Sequence, residues 1–98
     1  MNLTPQQIRE LKKLAHHLKP VVMLGQQGIS ENLINEIDLS LVAHELIKVK
    51  LAGAERTERL ALAQQICEQV EAELVQIIGQ MAVLYRANPD KKKNRILV

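Results

Sequence analysis

The chain is poorest in aromatic residues, with no tryptophan, no phenylalanine and one tyrosine among 98 positions. That counts against RNA-binding modules that stack unpaired bases on aromatic platforms. Nucleic-acid binding by such a chain is expected to depend more on phosphate and shape. Cysteine is almost missing too. The single Cys67 excludes a disulfide framework and speaks against a cysteine-based zinc site. It fits a reducing interior. No apolar run approaches the roughly 20 residues a membrane-spanning helix needs. The N-terminal MNLTPQQIRELKK has no apolar signal core. The expectation is a cytoplasmic protein with no membrane partner.

What is present suits one small domain. Apolar residues make up 47% of the chain and charged residues 24%, enough to close a core without staples. The net charge of +2 is modest, but the signs come in blocks. Residues 1–28 are basic through Arg9, Lys12, Lys13 and Lys19, and residues 29–45 carry four acids and no base. Lys48 and Lys50 follow, then a mildly acidic stretch, then a basic end with Arg86, Lys91, Lys92, Lys93 and Arg95. Gathered on one side, the basic blocks would suit an anionic partner. Equally, helices two and three could simply have acidic outer faces.

Thr4-Pro5 reads as a helix start, with a capping residue followed by proline at the first helical position. At about 100° per residue, Ile8, Leu11, Leu14, Ala15 and Leu18 share one face of a helix over 5–18, and Arg9, Lys12, Lys13 and His16 share another. Pro20 ends it. Val21 to Leu24 reads as a short buried strand. Ser30 caps a second helix over 31–43 with Leu33, Ile34, Ile37 and Leu41 inward and Glu31 in its first turn. In the strand at 45–51, Ile47, Val49 and Leu51 point one way and Lys48 and Lys50 the other. A third helix over 56–73 turns Leu60, Ala63, Ile66, Cys67 and Val70 inward. Strands at 74–78 and 81–86 form a hairpin around Gly79-Gln80. The fold class is therefore α/β (α+β), in the order α-β-α-β-α-β-β. A four-stranded mixed sheet carries packed helices, parallel where helices intervene and antiparallel at the hairpin. Residues 1–87 form the domain and residues 88–98 a basic tail that turns out at Asn88-Pro89.

The stretch PVVMLGQQGIS places Gly25, Gln26, Gln27 and Gly28 between a strand and a helix. Glycine permits positive φ and close approach of a partner, and the helix start that follows favours an anion. Gln26 and Gln27 add neutral hydrogen-bonding groups. A tight turn without a ligand is the alternative. The motif is neither a Walker loop, which needs Gly-Lys-Ser/Thr, nor the three-glycine dinucleotide fingerprint. Catalysis has little support. Cys67 lies on an apolar helix face, no serine sits in a nucleophile elbow, and Glu68, Glu71 and Glu73 read as a solvated face. His16 and His17 are adjacent and cannot form an i, i+4 ligand pair, and His44 stands alone. No metal, cofactor, small-molecule substrate or enzymatic activity is expected.

LKKLAHHLKPVVMLGQQGISENLINEI followed by HELIKVKL resembles the CRM domain, the chloroplast RNA splicing and ribosome maturation domain. The chain is similar, from helix one through VQIIGQMAVLYR, to the free-standing bacterial YhbY family. The features that carry the resemblance are Ala15-His16 before a proline, Gly25-x-x-Gly28 and the block Glu45-Leu46-Ile47-Lys48-Val49-Lys50. It implies a fold like the C-terminal domain of translation initiation factor three. It also implies association with precursors of the large ribosomal subunit, and the expectation is a monomer that binds structured ribosomal RNA and assists assembly. The family's loop falls on Gly25 to Gly28 and its lysines on Lys48 and Lys50. Some members carry a lysine inside the loop, where this chain has Gln26 and Gln27. With the basic residues, the expected RNA-binding set is Gly25, Gln26, Gln27, Gly28, Arg9, Lys12, Lys13, Lys19, Lys48, Lys50 and Arg86. A protein-interaction module, docking on a ribosomal protein or assembly factor, is the alternative from a different class.

Overall fold

Thr4 starts the first helix by a reciprocal cap. Its hydroxyl accepts from the Gln7 backbone N–H at 3.1 Å, and the Gln7 side chain accepts from the Thr4 N–H at 2.9 Å. Helix α1 (Pro5–Ala15) leads into strand β1 (Pro20–Met23). Helix α2 (Glu31–His44), capped by Ser30, leads into strand β2 (Leu46–Lys50). Helix α3 (Arg59–Val70) precedes strands β3 (Glu73–Ile78) and β4 (Met81–Tyr85). The structure is a computed structural model that describes residues 3–25, 27–90 and 96.

The strands form one mixed sheet in the order β1-β2-β4-β3. Strand β1 runs parallel to β2, and β4 is antiparallel to both β2 and β3. The hairpin thus inserts its second strand into the middle of the sheet and leaves β1 and β3 at the edges. Side-chain alternation divides the core in two. On one face α2 and α3 cover Val22, Leu24, Ile47, Val49, Leu51, Ala82 and Leu84. On the other, α1 lays Leu11 and Ala15 over Leu46, Val75, Val83 and Tyr85.

Several expectations from the local pattern are corrected, among them the buried strand, since β1 is an edge strand with Val21 and Met23 exposed. Helix α1 stops at Ala15, not 18, as the chain tightens through His16 and His17, with the Leu18 N–H donating to the Ala15 carbonyl at 3.0 Å. Leu14 and Leu18 are consequently 48% and 37% exposed rather than core residues. Helix α3 spans Arg59–Val70 rather than 56–73: it begins after a turn in which the Glu58 N–H donates to the Glu55 carbonyl at 2.9 Å, and it ends before Glu73 opens β3. Leu60 lies in the first turn of α3 and is exposed, while Ala63, Ile66, Cys67 and Val70 face inward as read.

Candidate nucleic-acid interface

The Gly-x-x-Gly loop hangs on the lysine strand. The Leu24 N–H donates to the Lys50 carbonyl at 2.7 Å, which carries the β1 ladder to the edge of Gly25. The Gly28 N–H then closes the turn onto the Gly25 carbonyl at 3.2 Å. Gly28 has φ +77°, a conformation that glycine adopts without cost. Gly25 differs in its backbone, which lies outside that region, while a Cβ built on either glycine meets nothing within 4 Å. Nothing inside the fold requires glycine there, so the space beside Gly25 is available to a partner. Gln27 is exposed. Gln26 lies outside the described residues.

A groove of about 550 Å³ runs beside the loop, lined by Met23, Gly25, Gln27, Gly28, Ser30 and Glu36 among others. The start of α2 faces it, but its electrostatics are mixed. The Ser30 hydroxyl already accepts from the Leu33 N–H at 3.1 Å, and Glu31 sits in the first turn. Glu36 puts a carboxylate in the wall itself. The groove therefore offers backbone donors and open space, while positive side-chain charge comes from outside it.

That charge stands on the sheet. Lys48 and Lys50 are half-buried at the root and project from β2 on the face opposite Val49 and Leu51, beside the end of α1's cover. Arg9, Lys12 and Lys13 are exposed on α1, with Lys13 3.6 Å from Glu10 in a surface pair of small energetic weight.

Two members of the expected set are placed elsewhere. Lys19 precedes β1, six residues from Gly25, which at strand spacing is roughly 20 Å away. There it lines an apolar cavity of about 490 Å³ with Leu14, Leu18, Val21 and His44. Arg86 is engaged inside the fold. Its guanidinium donates to the Asp38 carboxylate at 2.7 Å, to the Val70 carbonyl at 2.7 Å and to the Asp38 carbonyl at 3.2 Å, tying α2 to the end of α3. The tail bases Lys91, Lys92, Lys93 and Arg95 lie outside the described residues.

Sequence reasoning missed the role of Glu45. It is fully buried, at the end of α2, with φ +62°. One carboxylate oxygen accepts from the Asn88 N–H at 2.7 Å and the other from the Ile96 N–H at 2.9 Å. Its backbone carbonyl accepts from Arg86 at 2.8 Å. One buried side chain thus holds the chain at Asn88 and again at Ile96. Its burial next to an apolar strand was no signal, since a lone acid at a helix end ordinarily reads as solvated.

Burial, with a smaller contribution from Glu73, pushes the Cys67 thiol from its ordinary 9.0 up to about 12. Among the described residues there is no group of three or more histidine, cysteine or acidic residues placed to hold a metal ion. No helix among them is long and apolar enough to cross a membrane.

Comparison with known proteins gives a consistent result. The model of the CRS1 / YhbY (CRM) domain matches residues 3–86. A Pseudomonas aeruginosa protein named a probable RNA-binding protein is 48% identical over 94 residues, covering 96% of this chain and 90% of its own length. A Haemophilus influenzae RNA-binding protein is 47% identical over 90 residues, covering 92% of this chain and 91% of its own. The solution structure of a Staphylococcus aureus protein superposes with a TM-score of 0.82 at 40% identity, covering 94% of this chain and 96% of the other.

Proposed function

The chain belongs to the CRS1/YhbY (CRM) domain family, and from that premise we propose that it is an RNA-binding protein that associates with precursors of the large ribosomal subunit and assists their assembly. The observation that carries the RNA reading is the hydrogen bond from Leu24 to Lys50. It joins a loop with open space at Gly25 to a strand that projects two lysines. A phosphate backbone entering beside Gly25 can approach the main chain closely, while Lys50 and Lys48 supply the charge that the groove itself lacks. The basic stripe of α1 extends the attraction over more of the backbone. Such contacts neutralise phosphates and release counterions, so affinity follows salt. Arg86 donates to Asp38 and Val70 through its guanidinium, and its contribution is to hold the scaffold.

The assembly role is tested by sedimenting cell extract through gradients at low and moderate salt. Co-migration with large-subunit precursors, lost as salt rises, is the expected result. A protein that stays at the top of the gradient at both salts is not a stable partner of those particles. Naked RNA separates this reading from docking on a ribosomal protein, since only the former gives tight binding without protein.

A further inference from the structure

Strand register aligns one residue from each strand into a row across the sheet. Met23 pairs with Lys50, Lys50 with Met81, and Met81 with Ile78. All four lie on the α1 side, because their neighbours Val22, Val49, Ala82 and Ile77 belong to the core under α2 and α3. Helix α1 does not reach this end of the sheet. It covers Leu46, Val75, Val83 and Tyr85. Met23 and Ile78 are accordingly 61% and 58% exposed, although both are large and apolar. The row spans about 14 Å at ordinary strand spacing. Met23 at one end is also a wall of the groove beside Gly25.

We propose that this row receives unpaired bases of the bound RNA, with Lys50 taking a phosphate between them. The proposal rests on the RNA-binding reading above and names the form of RNA it favours. Charge selects the occupant: the row contains a lysine and no acid, and Lys48 stands two residues along β2 on the same face. Shape selects the form. A duplex presents phosphates and hides its base faces, so apolar side chains gain little from it. An unpaired strand can turn base faces onto a flat sheet. Thioether and branched aliphatic side chains supply the apolar, polarizable contact for which aromatic residues are absent.

The test compares an unstructured oligoribonucleotide with a fully paired RNA duplex of the same length, at matched salt. The probes are titrated with the wild type, with Met23→Ser combined with Ile78→Ser, and with Met23→Leu combined with Ile78→Leu. Both positions are exposed, and circular dichroism checks that the fold is kept. The serine pair is expected to bind the unstructured RNA about five- to tenfold more weakly, the low end of what a lost stacking contact costs. Its duplex affinity falls less than its affinity for the unstructured RNA, its salt slope stays near the wild-type value, and the leucine pair retains the wild-type affinity. Wild-type binding of both RNAs by the serine pair overturns the proposal and leaves the phosphate reading standing, as would follow if a protein covers this row. Failure of the wild type to bind either RNA at low salt overturns the RNA reading itself, and this inference with it.

Discussion

At the level of single residues, the two loop glycines do different work. Gly28 is required by its φ of +77°, whereas Gly25 faces open space with no such constraint. Gly28→Ala is expected to destabilise the fold by about 1–2 kcal/mol. Gly25→Ala should leave the melting temperature unchanged and weaken RNA binding several-fold. Thermal melts and RNA titration of the two variants check this, and equal effects on both quantities at both positions would contradict it. Cys67 gives a prediction in pH. The folded thiol keeps its proton up to about 12 while the unfolded chain releases it near 9.0. Above pH 9.0 the unfolded state binds fewer protons, so this group makes stability fall as pH rises through that window. Thiol-reagent labelling near neutral pH should proceed only through unfolding. Rapid labelling of the native protein would refute the buried placement.

At the level of elements, Glu45 links the end of α2 to the tail. A non-glycine residue with φ +62° carries local strain, of order 1–3 kcal/mol. The strain is offset by two backbone N–H groups that converge on the carboxylate. Glu45→Gln leaves one oxygen to accept but turns an amide NH₂ toward the other donor. The expected cost is about 1–3 kcal/mol, with faster hydrogen exchange at the Asn88 and Ile96 amides. Unchanged exchange at both amides would show that the clamp does not form in solution. These contacts could not be read from the sequence, because the partners are 43 and 51 positions apart. Local patterning did locate the elements. Thr4-Pro5 and Ser30 mark the starts of α1 and α2 because capping depends on residues three apart. The start of α3 was misread because Glu58 makes no side-chain cap.

At the level of the whole molecule, alternation in Ile47 to Leu51 correctly assigned the lysines to one face and the apolar residues to the core. Helix-separated strands pointed to a parallel pair, and Gly79-Gln80 to a hairpin, both as observed. The insertion of β4 between β2 and β3 was not legible, since local pattern carries no information on which strand takes the centre. The same limit applies to the site. Charge blocks suggested one basic face including Lys19 and Arg86, but the fold puts Lys19 at the far end of β1 and engages Arg86 with Asp38 and Val70.

The most direct measurement is the affinity for protein-free RNA as a function of salt, for the wild type and for Lys48→Ala and Lys50→Ala. Five phosphate contacts predict a slope of log affinity on log salt of about −3.5 to −4.5, flattened by about one unit in each variant. A flat salt response in the wild type, or lysine variants indistinguishable from it, would contradict an RNA-binding surface built on the Gly25–Gly28 loop and the β2 lysines.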